Sequence, residues 1–169
     1  MKIKWFFTAL LMGSSVTSFS QQNPAWEEWA RLTGTWKGQG SGQPGTGGGI
    51  FSFTFDLNNK ILVRKSHSEY PVSGNKPAII HDDLMIIYPD SAGNPSQAIY
   101  FDNEGHAINY DIRYSGASLI LISRQKTGSL AFRLTYTLQD DDTLITLFEI
   151  SQDWKKFTPY IQGVSKKVS

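Results

Sequence analysis

The chain has no cysteine among its 169 residues. Without cysteine, a protein forms no disulfide bond, has no thiol nucleophile and offers no thiolate ligand to a metal ion. The lack of a cysteine after the N-terminal apolar run also excludes a lipid anchor at that position. The fold must therefore be stable through its hydrophobic core alone, which a domain of about 150 residues is large enough to build.

An excess of charge of one sign is also lacking. The sequence has 16 Lys and Arg residues against 15 Asp and Glu residues, a net charge of +1. Such an even balance produces no surface field that would attract nucleic acid or an anionic membrane. We therefore expect neither nucleic acid nor a membrane as a partner of the folded domain.

The apolar run at the N-terminus is too short to span a bilayer. Residues 5–12 are mostly apolar, follow Lys2 and Lys4, and are succeeded by small residues. This order is typical of a signal peptide over residues 1–20, followed by a single domain over residues 21–169. We expect an exported protein, periplasmic or secreted, with an uncleaved membrane anchor as the alternative.

Beyond this segment the sequence alternates between apolar and polar residues, which is typical of β-strands. Trp26, Trp29 and Leu32 recur at helical spacing and predict one short helix over residues 24–32. Residues 38–49 carry seven glycines in twelve and predict a flexible loop at one rim of the fold. Strands are predicted at residues 33–41, 49–57, 60–70, 78–88, 97–102, 106–114, 117–125, 130–138, 143–151 and 157–167.

Tight turns join these strands and no helix separates them, so the sheet is antiparallel. An open sheet of this size would leave two exposed edges, and closure removes both. We therefore predict an all-β fold: a ten-stranded antiparallel up-and-down β-barrel with a short N-terminal helix.

Turn positions predict which side chains share a face of the sheet. A loop centred on Gly74 pairs His67 with His81, and the next turn pairs Asp83 with Asp102. All four of these polar side chains then point to the same side of the barrel wall.

The sixth strand identifies that side as the interior, because Ile108, Tyr110 and Ile112 alternate with polar residues. A turn near residue 140 likewise turns Glu149 inward, whereas Arg64 falls on the outer face. The predicted polar cluster lies inside one end of the barrel and comprises His67, His81, Asp83, Tyr100, Asp102, His106, Tyr110 and Glu149.

One register conflicts with this arrangement. A two-residue turn at Asn58 and Asn59 would direct Phe51, Phe53 and Phe55 outward. A three-residue loop with one Asn in the left-handed conformation returns these rings to the interior, and we expect that loop.

Four segments carry a family resemblance. The first, Leu-Thr-Gly-Thr-Trp-Lys-Gly-Gln-Gly at residues 32–40, resembles the opening Gly-x-Trp strand of nitrobindin-like and lipocalin-like calycins. Residues 62–71, 81–85 and 100–106 resemble an uncharacterised calycin-like β-barrel family. The resemblance implies a barrel that holds a small apolar or amphipathic ligand. Nitrobindin-like members hold haem through a late histidine, and this chain has no histidine after His106, so that ligand position does not carry over.

The polar cluster is compatible with four roles. It could bind a small molecule, whose apolar part would lie along Val63, Met85 and Leu134. It could instead be a structural hydrogen-bonded network, or a metal or haem site built on histidines and carboxylates. An enzyme would use Asp83 and Asp102 with a histidine as an acid–base pair, although no nucleophile motif is present and no catalytic residue is assigned.

We expect the first role, an exported protein that binds a small apolar or amphipathic molecule. No compact metal-ligand motif is present, so neither a metal nor haem is favoured as a cofactor. No oligomeric state is predicted.

Overall fold

The computed structural model describes residues 24–40, 48–70, 72, 78–124 and 128–168. The predicted signal peptide at residues 1–20, most of the glycine-rich loop and Gly74 lie outside the described residues. The elements are α1 (Pro24–Arg31), β1 (Gly34–Gly38), β2 (Ile50–Asp56), β3 (Ile61–Tyr70), β4 (Ile79–Pro89), β5 (Pro95–Asp102), β6 (Ala107–Ser115), β7 (Ser118–Ser123), β8 (Ala131–Asp140), β9 (Thr143–Ser151) and β10 (Thr158–Val168).

The strands form a closed barrel in which each is antiparallel to its neighbours in the chain. The barrel closes between β1 and β10, where Trp36 pairs with Lys167. Every strand in the described part of the chain therefore has two partners, and none of these strands is left at an open edge. The predicted ten-stranded all-β barrel is confirmed, and the architecture is compatible with a calycin-like fold.

The N-terminal helix covers one end of the barrel, here called the closed end. Trp29 is fully buried and its Nε1 donates a hydrogen bond to the Tyr114 hydroxyl at 3.0 Å. Trp26 Nε1 donates to the Gly93 carbonyl at 3.2 Å, and its ring meets Phe55 edge-on. These large rings fill the closed end, as their helical spacing predicted. Among the described residues, no helix has the length and apolar character needed to cross a membrane.

The opposite end, here called the open end, is where β3 ends and β6 begins. The predicted register of β4, β5 and β6 is confirmed. Asp83 pairs with Asp102, and Tyr100 pairs with both Met85 and Ile108. Short turns fix these pairings, so the interior face of these strands was predictable from the sequence.

The predicted register of β3 is wrong by one residue. His67 pairs with Asp82, and His81 pairs with Ser68. Because side chains alternate between faces, this single step exchanges the two faces of β3 along its whole length. Arg64 therefore points into the barrel and His67 points out of it.

The conflict at the β2–β3 turn arose from this same error. Phe53 pairs with Arg64. A turn with an even number of residues, centred between Asn58 and Asn59, produces this pairing. Leu57, Asn58 and Asn59 all have positive φ, between 49° and 62°. The expected three-residue loop is therefore wrong, but the inward direction of the Phe53 side chain, which is 1% exposed, is right.

The register of β8 and β9 is also one residue away from the prediction. A β-bulge between Leu138 and Asp140 shifts the pairing, so that Arg133 lies opposite Glu149 and Leu134 opposite Phe148. The extra residue of a β-bulge shifts the strand pairing by one position, as a loop longer by one residue would. The side chains of β9 therefore point to the face opposite the predicted one. Glu149 consequently lies on the outer face of the barrel.

Candidate ligand-binding cavity

A cavity of about 970 Å³ occupies the half of the barrel nearest the open end. Below it, Leu62, Met85 and Ile87 are fully buried and close the interior towards the helix. The volume lies at the upper end of the range of about 300–1,000 Å³ that is typical of small-molecule sites.

One side of the cavity, here called the polar wall, is built by β4–β6 and the turn that joins β5 to β6. The His81 ring is central to it: Nε2 lies 3.1 Å from the Tyr100 hydroxyl and Nδ1 lies 3.1 Å from Glu104 Oε1. The Tyr100 hydroxyl in turn donates to Asp102 Oδ2 at 3.3 Å. Burial raises the pKa of Tyr100, and the nearby Asp83 and Asp102 carboxylates raise it further, so this phenol stays protonated.

His106 and Asp102 form an ion pair at the mouth of the cavity, 2.8 Å apart. The hydrogen bond to Asp102 raises the pKa of His106 above its ordinary value. Burial opposes the charge of Asp102, but the backbone and ring N–H groups of His106 hold the pKa of this carboxyl below its usual range. Both groups therefore favour their charged forms.

The facing side, here called the apolar wall, is built by β8, β9 and β10. The Phe132 and Phe148 rings stack with centroids 5.9 Å apart and an interplanar angle of 10°. Leu134, Ile150 and Ile161 complete the wall. The cavity is therefore polar on one side and apolar on the other, whereas the sequence predicted a polar end above an apolar one.

Three further residues that line the cavity, here called the floor, are Arg64 on β3, Tyr136 on β8 and Thr146 on β9. Arg64 forms an ion pair with Asp83 and lies over the Phe51 ring, 5.0 Å from its centroid. Burial raises the pKa of Tyr136 to about 12. Arg64 Nε, the Tyr136 hydroxyl and Thr146 Oγ1 are buried without a hydrogen-bond partner in the described part of the chain.

Unpartnered buried polar atoms are uncommon, and each costs about 1–3 kcal/mol when nothing satisfies it. Three such atoms lie in residues that line the cavity and lower the stability of the barrel, and because each has almost no accessible surface a molecule in the cavity does not reach them.

Six of the eight predicted site residues line the cavity. They are His81, Asp83, Tyr100, Asp102, His106 and Tyr110. Their side chains lie on β4, β5, β6 and the turn between β5 and β6, where the predicted register is right.

The predicted inward orientation of His67 is wrong. Its ring is outside the barrel, where Nδ1 lies 2.6 Å from Asp82 and Nε2 lies 3.2 Å from Glu69. These hydrogen bonds raise the pKa of His67 above its ordinary value. The three histidines therefore lie near one end of the barrel, but only His81 and His106 share the cavity.

The predicted inward orientation of Glu149 is also wrong. Its two carboxylate oxygens accept bonds from Arg133 Nε and Nη2 at 2.5 and 2.8 Å on the outer face. Phe157 covers the Arg133 guanidinium, which lies 4.3 Å from its ring centroid. This bidentate pair explains why a carboxylate that is 5% exposed can be buried outside the cavity.

Arg64, Tyr136 and Thr146 were not predicted from the sequence as cavity residues. Arg64 was placed outside by the slip in β3, and Val63, expected on the apolar wall, pairs instead with Ile86 on the outer face. Met85 lies below the cavity, and only Leu134 of the predicted apolar residues lines it. A two-residue turn at Asn58 and Asn59 had placed Phe51, Phe53 and Phe55 outside the barrel. That conflict was the one signal in the sequence that the inner and outer faces of β3 had been exchanged.

The two carboxylates proposed as an acid–base pair each have a separate cationic partner. Asp83 is paired with Arg64, and Asp102 is paired with His106. In the described part of the chain, no group of three or more His, Cys, Asp or Glu residues is arranged to hold a metal ion.

No protein-family model matches the chain, and no curated protein matches it significantly.

Proposed function

We propose that the barrel binds a small amphipathic molecule in the cavity between the polar and apolar walls. The observation that carries this proposal is a space of about 970 Å³ that is bounded by the polar wall on one side and by the apolar wall on the other. A pocket with apolar surfaces and a few convergent polar groups is the usual form of a small-molecule site.

A purely structural role for the polar residues is the competing hypothesis. A structural network satisfies its own donors and acceptors and leaves little empty space. The upper part of the polar wall behaves in this way, because Tyr100, Asp102 and His106 bond to one another. A structural role does not account for the cavity of about 970 Å³ beside this network, and that space favours binding over a structural role.

Apolar residues around the mouth support entry from the open end. Ile79, Leu130 and Tyr160 line the cavity and are 49%, 45% and 63% exposed. Exposed apolar side chains in a group commonly mark a site of interaction. An amphipathic molecule would contact these side chains first and then move its apolar part down the apolar wall.

The proposal includes membership of the calycin-like barrels and export from the cytoplasm. The closed barrel supports the first, and the signal peptide predicted over residues 1–20 supports the second. N-terminal sequencing of the mature protein from its natural cells should begin at Gln21. Protein that retains residue 1 and remains in the cytoplasmic fraction would contradict export and leave the binding role open.

Binding can be tested with N-phenyl-1-naphthylamine, an uncharged probe that fluoresces in apolar surroundings. We expect the probe to bind the wild-type protein and to lose affinity in Leu134→Trp, which fills the cavity. Leu147→Trp is the matched control, because Leu147 pairs with Thr135 on the outer face. Failure of the wild-type protein to bind, or equal binding by a folded Leu134→Trp variant, would contradict the proposed function.

A further inference from the structure

We infer that the ligand is a rigid, facially amphipathic molecule, with polar groups along one side and an unbroken hydrocarbon surface along the other. A hydroxylated fused-ring compound has this form, whereas a fatty acid has a polar head and an apolar tail. This inference rests on the proposed function and specifies the class of ligand that the cavity binds. The placement of the polar and apolar walls around the barrel supports it.

The two walls lie on opposite sides of the barrel. In a closed ring of ten strands each strand faces the one five places away, so β3 faces β8, β4 faces β9 and β5 faces β10. His81 and Asp83 on β4 line the cavity opposite the strand that carries Phe148 and Ile150. A molecule that lies along the barrel axis therefore has a polar surface on one side and an apolar surface on the other.

β3 continues the polar wall from the mouth towards the floor. The four inward positions nearest the open end all line the cavity and are polar: Arg64, Ser66, Ser68 and Tyr70. Successive inward positions on a strand are about 7 Å apart, so polar groups recur along the cavity instead of being confined to one end. Ser66 pairs with Asp83 and Ser68 pairs with His81, so β3 and β4 place polar side chains at the same two levels.

The apolar wall is also continuous from the mouth to the floor. Phe132 and Leu134 are successive inward positions on β8, and Ile150 and Phe148 are successive inward positions on β9. The next positions belong to Tyr136 and Thr146 of the floor, whose hydroxyl oxygens have almost no accessible surface. These two side chains therefore present carbon atoms to the cavity and extend its apolar side.

The polar wall has groups that a ligand can reach. The side chains of His81 and Glu104 are 26% and 55% exposed, and Ser66 is partly exposed. A carboxylate can accept about four hydrogen bonds, and a serine hydroxyl both donates and accepts. Hydroxyl groups on the ligand also donate and accept, so they can bond to each of these side chains.

The buried ionic groups of the polar wall do not require a charge on the ligand. Asp83 is paired with Arg64, and Asp102 is paired with His106. Selection therefore depends on where the polar groups of the ligand lie. For this reason the test compares ligands of equal charge.

A molecule with a polar head and an alkyl tail does not match this arrangement. Its methylene groups would displace water from the polar wall without replacing the hydrogen bonds that the water made. A facially amphipathic ring system replaces those bonds at several levels and buries its other surface against the apolar wall. A rigid ring system also loses less conformational freedom on binding than a flexible chain does.

The wild-type protein allows a direct test. We would measure displacement of N-phenyl-1-naphthylamine by cholate, lithocholate and tetradecanoate at neutral pH, below the micelle-forming concentration of each. All three carry one carboxylate. Cholate has hydroxyl groups along one face, lithocholate has the same ring system with fewer hydroxyl groups, and tetradecanoate is a simple chain.

We expect cholate to bind at least about tenfold more tightly than tetradecanoate, and more tightly than lithocholate, although lithocholate is the more apolar of the two. Equal or tighter binding of tetradecanoate would overturn the inference, and so would equal or tighter binding of lithocholate. A bound probe that cholate does not displace would also overturn it while leaving the proposed function in place. If the probe itself does not bind, the proposed function fails and the inference fails with it.

His81→Leu replaces an accessible polar side chain of the polar wall with an apolar one. We expect the preference for cholate over tetradecanoate to fall at least about fivefold, because one level of the polar wall is lost. His67→Leu is the matched control, since the His67 ring lies on the outer face, and it should leave the preference unchanged. An unchanged preference in a folded His81→Leu variant would contradict the inference.

Ser66→Ala is a smaller change that keeps the test decisive if His81→Leu does not fold. We expect about threefold weaker binding of cholate and unchanged binding of tetradecanoate, because only cholate has a hydroxyl group to bond to Ser66. Ser52→Ala is its control, because Ser52 pairs with Lys65 on the outer face. Equal effects of Ser66→Ala on cholate and tetradecanoate would overturn the inference.

Discussion

Arg64 on β3 and Asp83 on β4 form an ion pair inside the barrel, and both side chains are largely buried. Burial opposes the charge of Arg64, but the adjacent Tyr136 and Asp83 outweigh it and keep the pKa of the guanidinium above its ordinary value. The pair joins the polar wall to the floor of the cavity. Its integrity therefore affects both the stability of the barrel and the charge that a ligand meets.

Loss of one member of this pair should be costly. We expect Arg64→Met to lower the free energy of unfolding by about 3–5 kcal/mol, because the Asp83 charge is left buried without a partner. The double variant Arg64→Met/Asp83→Leu should recover most of this loss, since no charge remains. Urea unfolding of the wild-type protein and the two variants measures both effects.

The control for this comparison is Arg124→Met, which breaks the exposed pair with Asp111. Exposed ion pairs contribute about 0–1 kcal/mol, so the change should be small. A double variant that is no more stable than Arg64→Met alone would contradict the account of the Arg64–Asp83 pair.

The pair of Arg133 and Glu149 should affect stability without affecting binding. Glu149→Gln removes a bidentate, charge-assisted interaction, and we expect a loss of about 2 kcal/mol in the free energy of unfolding. Probe affinity should not change, because the pair lies on the outer face. Glu28→Gln breaks the exposed Arg31 pair and serves as the control, with an expected change below about 1 kcal/mol. A large loss of probe affinity in Glu149→Gln would be inconsistent with this position.

The His106–Asp102 pair predicts a defined dependence of stability on pH. The pKa of His106 is raised above 6.5, so its contribution is complete below that pH and is lost as the pH rises through the raised value. The pKa of Asp102 is lowered below 3.8, so its contribution is complete above that pH and is lost as the pH falls through the lowered value. The pair therefore contributes fully between pH 3.8 and 6.5.

Proton NMR of the histidine rings tests this relationship. His106 should titrate at a higher pH in the wild-type protein than in Asp102→Asn. His67, whose partners are Asp82 and Glu69, should titrate at the same pH in both proteins. An identical midpoint for His106 in the two proteins would refute the predicted ion pair.

Substitution of single histidines should separate the cavity from the outer face. We expect His81→Ala to weaken probe binding, because the His81 ring contacts Tyr100 and Glu104 on the polar wall. His67→Ala should leave the affinity unchanged, because the barrel wall separates this ring from the cavity. A fluorescence titration of both variants measures the difference, and equal effects of the two substitutions would contradict the observed register of β3.

The sequence was sufficient to predict the ten strands, their closure and the inner face of β4–β6. In β6 one face is consistently apolar, and the turns on either side of β5 are short. These two signals specify register independently, and they agree.

The same reasoning failed for β3 because both of its faces mix polar and apolar residues. The inner set runs from Leu62 through Arg64 to Tyr70, and the outer set begins with Ile61 and Val63 and looks more apolar. A long connection to β4 leaves the register free to slip by one residue. The one signal in the sequence was the turn at Asn58 and Asn59, which pairs an inward Phe53 with Arg64. The contact of Phe53 with Tyr136, which holds that ring inside the barrel, is tertiary.

The most direct test of a ligand-binding barrel is native mass spectrometry of the protein purified gently from the cells that make it. The account predicts a complex heavier than the polypeptide by the mass of one small molecule. Denaturation should release a small amphipathic compound, and Leu134→Trp should lack it. A polypeptide that has no bound molecule under the gentlest conditions, and that does not bind added N-phenyl-1-naphthylamine, would contradict the central claim.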